Sequence, residues 1–400
     1  MTQPIDRRSV LAGSVALASI GLASLVTTPA AYAVTTTASP RVGAARPSSI
    51  TSYGPNGTHY PTDLPWVGEP AAHELVVNCD WTSIANAIKS LTPARVAQGV
   101  AIRVRPGILP GNGSGSSAKA VLSGVGSMSW TRNVLICPLE GFGSVTVADK
   151  GIRIDQCARL SFFGLQSQGQ ICMTLCGDMQ MGWSRWSGMN LTRGGANIAL
   201  YEVVLGFRRN PEDTSGVRPT ETYPMTNISR YGCVFGPSVK PAGSSAHCDT
   251  IQLEGTGTGT FGSFTSVDCV DYGSSNAVVM MHQRLSLAEF RHCLILGDVL
   301  PWQVYPLQAG DYAGRPNAFS GWCADVRLYD SVVAGAVGST DFTRIERTTL
   351  SYAPQASQQP TVSGTWTVDT GIAGWNAAAI MAQQHVPDYE DATLAGIWSW

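Results

Sequence analysis

The stretch GSSAHCDTIQLEGTG, residues 243–257, sets His247, Asp249, Gln252 and Glu254 close together in a chain where only 14% of residues are charged. A carboxylate near an imidazole can hold one ring nitrogen and make the other more basic, which suits proton transfer near neutral pH. His247 and Asp249 are therefore candidate acid–base residues, with Gln252 projecting beside them. Asp268 and Asp271, then His282 and Arg284, complete the densest group of titratable side chains in the middle of the chain. Two carboxylates flanking a glycosidic bond would hydrolyse it, and Asp249 with Glu254, Asp268 or Asp271 could supply them. In β-elimination a base removes the proton beside a uronate carboxylate while a cation neutralises that carboxylate. His247, Arg284 or Arg291 could serve there, and Asp249 with Asp268 would be oxygen ligands for Ca²⁺, the one cofactor such a reading brings. The structural reading of the same residues is that Asp and Asn cap backbone N–H groups at turns and His247 bonds a loop carbonyl.

These side chains need a scaffold, and the flanking sequence supplies a repeat. ISRYGCVFG (228–236), FTSVDCVDY (264–272), AEFRHCLIL (288–296) and VRLYDSVVA (326–334) superpose without gaps, and WSRWSGMNL (183–191) and FTRIERTTL (342–350) extend the set. Between them lie second strands, NIALYEVVL (197–205), DTIQLEG (249–255) and NAVVMMHQ (276–283). Repeats of this size cannot close a core alone, so they stack as a solenoid. Cys233, Cys269 and Cys293 fall at one repeat position, as a ladder of small side chains inside stacked coils would require. Sandwiches and propellers prefer hairpins with two-residue Asn-Gly or Asp-Gly turns, which are scarce here. The expectation is an all-β, right-handed parallel β-helix. A short helix at 81–91 with Asp80 as N-cap and Ile84, Ile88 and Leu91 on one face would close its N-terminal coil.

With that capping helix, VAIRVRPGIL after it and the repeat, residues 75–352 resemble the pectate-lyase-like superfamily of secreted parallel β-helix proteins. The resemblance implies the fold; it leaves activity open, since such scaffolds host lyases, hydrolases, esterases, epimerases and non-catalytic surface proteins. The Asn-x-Asp and Asp-Asp pattern of pectin hydrolases is not visible, nor is the Arg-x-Pro-x-x-Arg string of many pectate lyases.

Long insertions at similar corners point to the working side. GFRRNPEDTSGVRPTETYP (206–224) carries Arg208, Arg209, Glu212, Asp213 and Arg218; PSVKPAGSSAHC leads into His247; and DVLPWQVYPLQAGDYAGRPNAFSGW carries Trp302, Tyr305, Tyr312, Arg315 and Trp322. Flat rings stack on sugars and arginines pair with acidic groups, so Trp302, Tyr305, Tyr312, Arg284 and Arg315 are candidate substrate contacts beside the catalytic set His247, Asp249, Gln252, Asp268 and Asp271.

The ends read differently. Arg7 and Arg8 precede an apolar stretch that closes on Ala31-Tyr32-Ala33, so residues 1–33 are expected to be an export signal of the twin-arginine type. Residues 34–72 are expected to be a flexible leader, 73–352 the β-helix, and 353–400 a linker and C-terminal lid, with Trp366, Trp375, Trp398 and Trp400 sealing the last coil. A net charge of −2 and four lysines argue against a nucleic-acid partner, and no later run is long enough to span a bilayer. The ten cysteines lack zinc or disulfide-framework spacing and read as small buried apolar residues. The sequence therefore predicts a secreted protein whose partner is a polysaccharide, cleaved by lyase or hydrolase chemistry; a non-catalytic glycan-binding or adhesion protein is the alternative.

Overall fold

The computed structural model describes residues 59–400 except 221–222, 255–258, 282–284, 322, 360–363, 384–389 and 399. The export signal, most of the leader, His282, Arg284 and Trp322 lie outside the described residues.

The chain winds as a parallel β-helix. Each complete coil supplies three strands, and each strand pairs in parallel with its counterpart one coil on. On the first face Ile228 pairs with Phe264, Phe264 with Ala288, and Ala288 with Val326, which is the register of the four repeats aligned from sequence. On the second face Val234, Val270, Leu294 and Val332 stack in turn. On the third face Ser215 pairs with Ile251 and Ile251 with Val279. Parallel crossovers of L-residues strongly favour the right hand, and every interior strand finds hydrogen-bond partners on both sides.

Both ends of the aligned repeat differ from the expectation. Arg327 pairs with Arg344 and Leu328 with Ile345, so the last segment slips by one residue and Thr343, not Phe342, stands level with Val326. At the other end Gln180 pairs with Ala199, so the 183–191 segment begins at a corner. NIALYEVVL runs across the first and second faces and is not an intervening strand.

The corner between the first and second faces explains the repeat chemically. Glu202, Gly232, Asp268, His292, Asp330 and Arg347 all adopt positive φ there, from 46° to 60°. This left-handed conformation costs a non-glycine residue about 1–2 kcal/mol, and side-chain bonds offset it. His292 Nδ1 lies 2.6 Å from Asp268 Oδ1, and Arg347 Nε donates to Asp330 Oδ1 at 2.5 Å. The next residue turns inward, giving the ladder Cys233, Cys269, Cys293, Ser331 and Thr348, all buried. Burial pushes the Cys233 and Cys293 thiols well up. None of the ten cysteines is in a disulfide.

At the N-terminal end the helix Trp81–Lys89 starts at Asp80, whose carboxylate accepts the Ser83 N–H at 2.7 Å, and buries Trp81, Ile84 and Ile88 against the first coils. A second helix, Pro93–Gln98, follows.

Two expectations about the ends are corrected. Within the stretch assigned to the leader, Tyr60, Leu64, Trp66 and Val67 are buried, because the aromatic and aliphatic side chains cover the outer side of the early coils around Leu135, Phe163 and Trp183. The C-terminal segment covers the last coil only in part, through Trp366, which packs against the interior core. The strand Thr365–Val368 does pair with the final coil, but Ile372, Ile380, Leu394 and Trp398 pack along the outside of the stack. Trp398 Nε1 donates to Glu202 at 2.9 Å and Asp391 accepts from Gln166 at 2.9 Å, so the tail runs back to early coils. The reason is that the second face is apolar on its outer side as well, with Val204, Val234, Val270 and Leu294 all needing cover.

Candidate active site

The chain passes from the second face to the third through its longest insertions, 206–214, 236–248 and 297–316, and all three meet at one corner. Arg209 Nε donates to Asp311 Oδ2 at 3.1 Å and Arg209 Nη1 to the Tyr305 hydroxyl at 2.8 Å. The Ala242 N–H reaches the Gly310 carbonyl at 2.7 Å, and the Lys240 ammonium sits 4.6 Å from the centre of the Tyr312 ring. These contacts zip the loops into a wall.

Beside the wall, on the outer side of the third face, lies a cleft of about 670 Å³ reaching from Ser114 and Lys150 to His247. Asp213 lines it. One carboxylate oxygen accepts the Asp249 backbone N–H at 2.9 Å, and the other pairs with Arg218 Nη2 at 2.6 Å. Burial, with Asp249 and Glu254 nearby, pushes the Asp213 carboxyl up to about 6 in spite of Arg218. Arg218 also donates to Asn190 Oδ1 at 2.7 Å and to Gln252 Oε1. It can do so because Gly216, level with Asn190 and Gln252, has no side chain: a Cβ there would sit 2.3 Å from Arg218 Nη1 and 2.7 Å from Asn190 Oδ1. The guanidinium folds back across that gap. Gln170 Nε2 donates to Glu212 Oε2 at 2.7 Å, extending the polar floor toward the earlier coils.

Asp249 is fully buried at the start of the strand Asp249–Leu253. Asn276 Nδ2 donates to its Oδ1 at 2.5 Å. Its Oδ2, buried without an aligned donor, lies 3.4 Å from His247 Nδ1. The His247 side chain is 57% exposed at the cleft edge, and its contact with Asp249 raises the imidazole pKa. Burial pushes the Cys248 thiol up to about 11, which leaves it a poor nucleophile.

The structure thus brings His247, Asp249 and Gln252 together, with Asp213 and Arg218 from the 206–224 insertion and with Asn190. It does not bring Asp268 and Asp271 there. Asp268 stands at the corner between the first and second faces, bonded to His59 at 3.0 Å and His292 at 2.6 Å. Asp271 points into the coil and forms two 2.8 Å hydrogen bonds with Arg230, a pair almost wholly shielded from solvent. Calcium held by Asp249 and Asp268 together is excluded by that separation, and among the described residues no group of three or more His, Cys, Asp or Glu side chains is placed to hold a metal ion. Trp302, Tyr305, Tyr312 and Arg315 belong to the wall and do not line the cleft. Trp302 Nε1 donates to the Gly314 carbonyl at 2.8 Å and Arg315 pairs with Asp298 at 2.7 Å, so these side chains, with Tyr305 and Tyr312, hold loops. Asp213 and Arg218 were visible in sequence only as rim charges; Gln170 and Asn190 carried no signal beyond outward strand positions.

No family model and no curated protein matches the chain. Among solved structures it is similar to a pectate lyase from Paenibacillus sp. 0602, with 9% identity, TM-score 0.39 and coverage of 74% of this chain and 78% of that one. Pectate lyase Pel9A has 10% identity, TM-score 0.39 and coverage of 76% and 77%. The A-module of the mannuronan C-5 epimerase AlgE4 from Azotobacter vinelandii has 11% identity, TM-score 0.31 and coverage of 74% and 94%. The fold of this chain stands on its own strand registers. No described helix is long and apolar enough to cross a membrane.

Proposed function

We propose that this is an exported carbohydrate-active β-helix protein that cleaves an extracellular polysaccharide in the cleft between Lys150 and His247. The observation that carries the reading is Asp213, a carboxyl pushed up to about 6 inside a solvent-connected cleft, next to a histidine whose own pKa is raised. Groups poised near neutral pH are the ones that exchange protons with a substrate efficiently. Lys150, Arg208 and Arg218 line the same cleft beside Asp149, Glu212 and Asp213, so cations able to meet a uronate carboxylate stand next to the acid–base groups.

The chemistry that suits this set is β-elimination. A basic residue, His247, takes the proton next to the uronate carboxylate; Arg218 balances the charge that builds on that carboxylate; protonated Asp213 gives its proton to the leaving oxygen as the C–O bond breaks and a carbon–carbon double bond forms. The test is incubation of the mature chain with a panel of uronate-containing and neutral polysaccharides, following both new reducing ends and the ultraviolet absorbance of an unsaturated uronate. Cleavage with unsaturation, lost in D213N, supports the proposal. Reducing ends without unsaturation replace elimination by hydrolysis, with Asp213 and a second carboxylate. No cleavage of any polymer, or full activity in D213N, overturns it and favours a glycan-binding role.

A further inference from the structure

We infer that a second trough, on the outer side of the first face, binds a neutral oligosaccharide laid along the coil axis. The trough measures about 400 Å³ and contains no residue of the acid–base cleft, so the inference stands apart from the proposed cleavage. Its floor is Ala199 and Ser229, which pair with each other; Gln180 is level with them one coil below and Thr265 one coil above. The two short side chains, beside the longer Gln180, make the hollow. Asp63, from the N-terminal arm, contributes to the lining, fixed by Gln180 Nε2 on its carboxylate and Arg132 Nε on its carbonyl, each at 3.2 Å.

Along the trough and continuing past it, one polar side chain per coil forms a ladder with a single direction. Ser263 Oγ donates to Asn227 Oδ1 at 2.9 Å, Asn227 Nδ2 to Asn197 Oδ1 at 3.0 Å, and Asn197 Nδ2 to Asp178 Oδ1 at 2.7 Å. Arg159 closes the series on Asp178 Oδ2 at 2.6 Å. Each carboxamide is thereby fixed in orientation, and a carboxamide carries two N–H donors, so a second donor on Asn197 and on Asn227 is left for a ligand. Both residues are exposed. Their separation is set by the coil spacing of about 4.8 Å, which gives a regular row of donors and acceptors matching the repeated hydroxyls of an extended sugar chain. Arg159 and Asp178 cancel in charge, leaving the Asp63 carboxylate as the trough's net charge. A lining without net positive charge offers an anionic polymer no counter-charge and suits a neutral, hydroxyl-rich one.

The experiment is titration of the full chain with cellohexaose, xylohexaose and mannohexaose, followed by calorimetry and by the NMR signals of side-chain amides. At least one hexasaccharide is expected to bind and to shift the Asn197 and Asn227 amide signals. The double variant N197A/N227A should weaken binding about tenfold or more, the loss expected for two hydrogen bonds. Because the ladder also joins coils, the variant A199W provides a separate check: it fills the trough, leaves the ladder side chains in place, and should abolish binding without lowering the melting temperature. No binding by any of the three sugars, or binding that survives A199W, overturns the inference and leaves the ladder a purely structural device.

Discussion

Replacing Asp271 by asparagine tests the correction that this residue belongs to the interior. Arg230 is 1% and Asp271 0% exposed as side chains, and they share two 2.8 Å hydrogen bonds. Ser266 Oγ accepts from Arg230 at 2.8 and 3.1 Å, and the guanidinium lies 4.5 Å from the centre of the Phe235 ring. Burial raises the Asp271 carboxyl even with Arg230 beside it, which shows how large the desolvation cost is. Removing one partner of such a pair costs about 3–5 kcal/mol, because the other charge stays buried. Ser266 and the ring still stabilise the cation, so we expect the lower end, about 3 kcal/mol, read as a fall in the urea midpoint with unchanged slope. The double variant R230L/D271I copies the residues on neighbouring rungs, Leu200 and Ile295. It should lie within about 1 kcal/mol of wild type, or above it, since a packed apolar pair avoids the desolvation cost. A D271N variant within about 1 kcal/mol of wild type, or a double variant no better than the single one, would refute the argument.

Asp213 should give stability a pH signature: below its ordinary value of 3.8 both folded and unfolded chains hold the proton, and up to about 6 only the folded chain does. Its contribution therefore falls as pH rises through that window, by up to about 3 kcal/mol, and D213N should not show this fall; equal slopes in melting temperature for the two proteins between those pH values would count against it. D249N should lower the His247 titration midpoint by NMR, since the Asp249 carboxylate is what raises it; an unchanged midpoint would mean that the 3.4 Å contact has no electrostatic effect. G216A should leave folding within about 1 kcal/mol, because the obstructed atoms are the ends of flexible side chains, yet it should displace Arg218 and depress polysaccharide cleavage or binding; full function would show that Arg218 need not cross the third face. W398A should cost about 3–5 kcal/mol, as it removes a side chain 2% exposed and the donor to buried Glu202; a loss below about 1 kcal/mol would mean that the tail does not brace the stack.

The spacing of the cysteine ladder and of the apolar positions around it was enough to give the parallel β-helix, its register over four coils and the helix after Asp80. Stacking imposes these directly, because equivalent residues of successive coils meet the same neighbours and so take the same types. The slip at Thr343 was not legible, since Glu346 and Arg347 are both polar and either could stand at a left-handed corner. Asp271 misled for a related reason. Its position in the period points inward, but a carboxylate inside a coil is admissible only when a cation fills the adjoining level, and Arg230 lies far away in sequence. Asp213 was legible as a loop charge, but not as part of the cleft. Its raised pKa comes from burial with Asp249 and Glu254 nearby, and its orientation from a backbone N–H of the next coil.

By itself the sequence determined the repeat over its four central coils, the inward ladder, the helix after Asp80 and the corner at which insertions gather. Only the tertiary structure decided what does not repeat, namely which carboxylates face solvent, which aromatic rings hold loops together, and where the tail lies. Those depend on single contacts between levels of the stack, made by residues tens to hundreds of positions apart, and no local pattern records them.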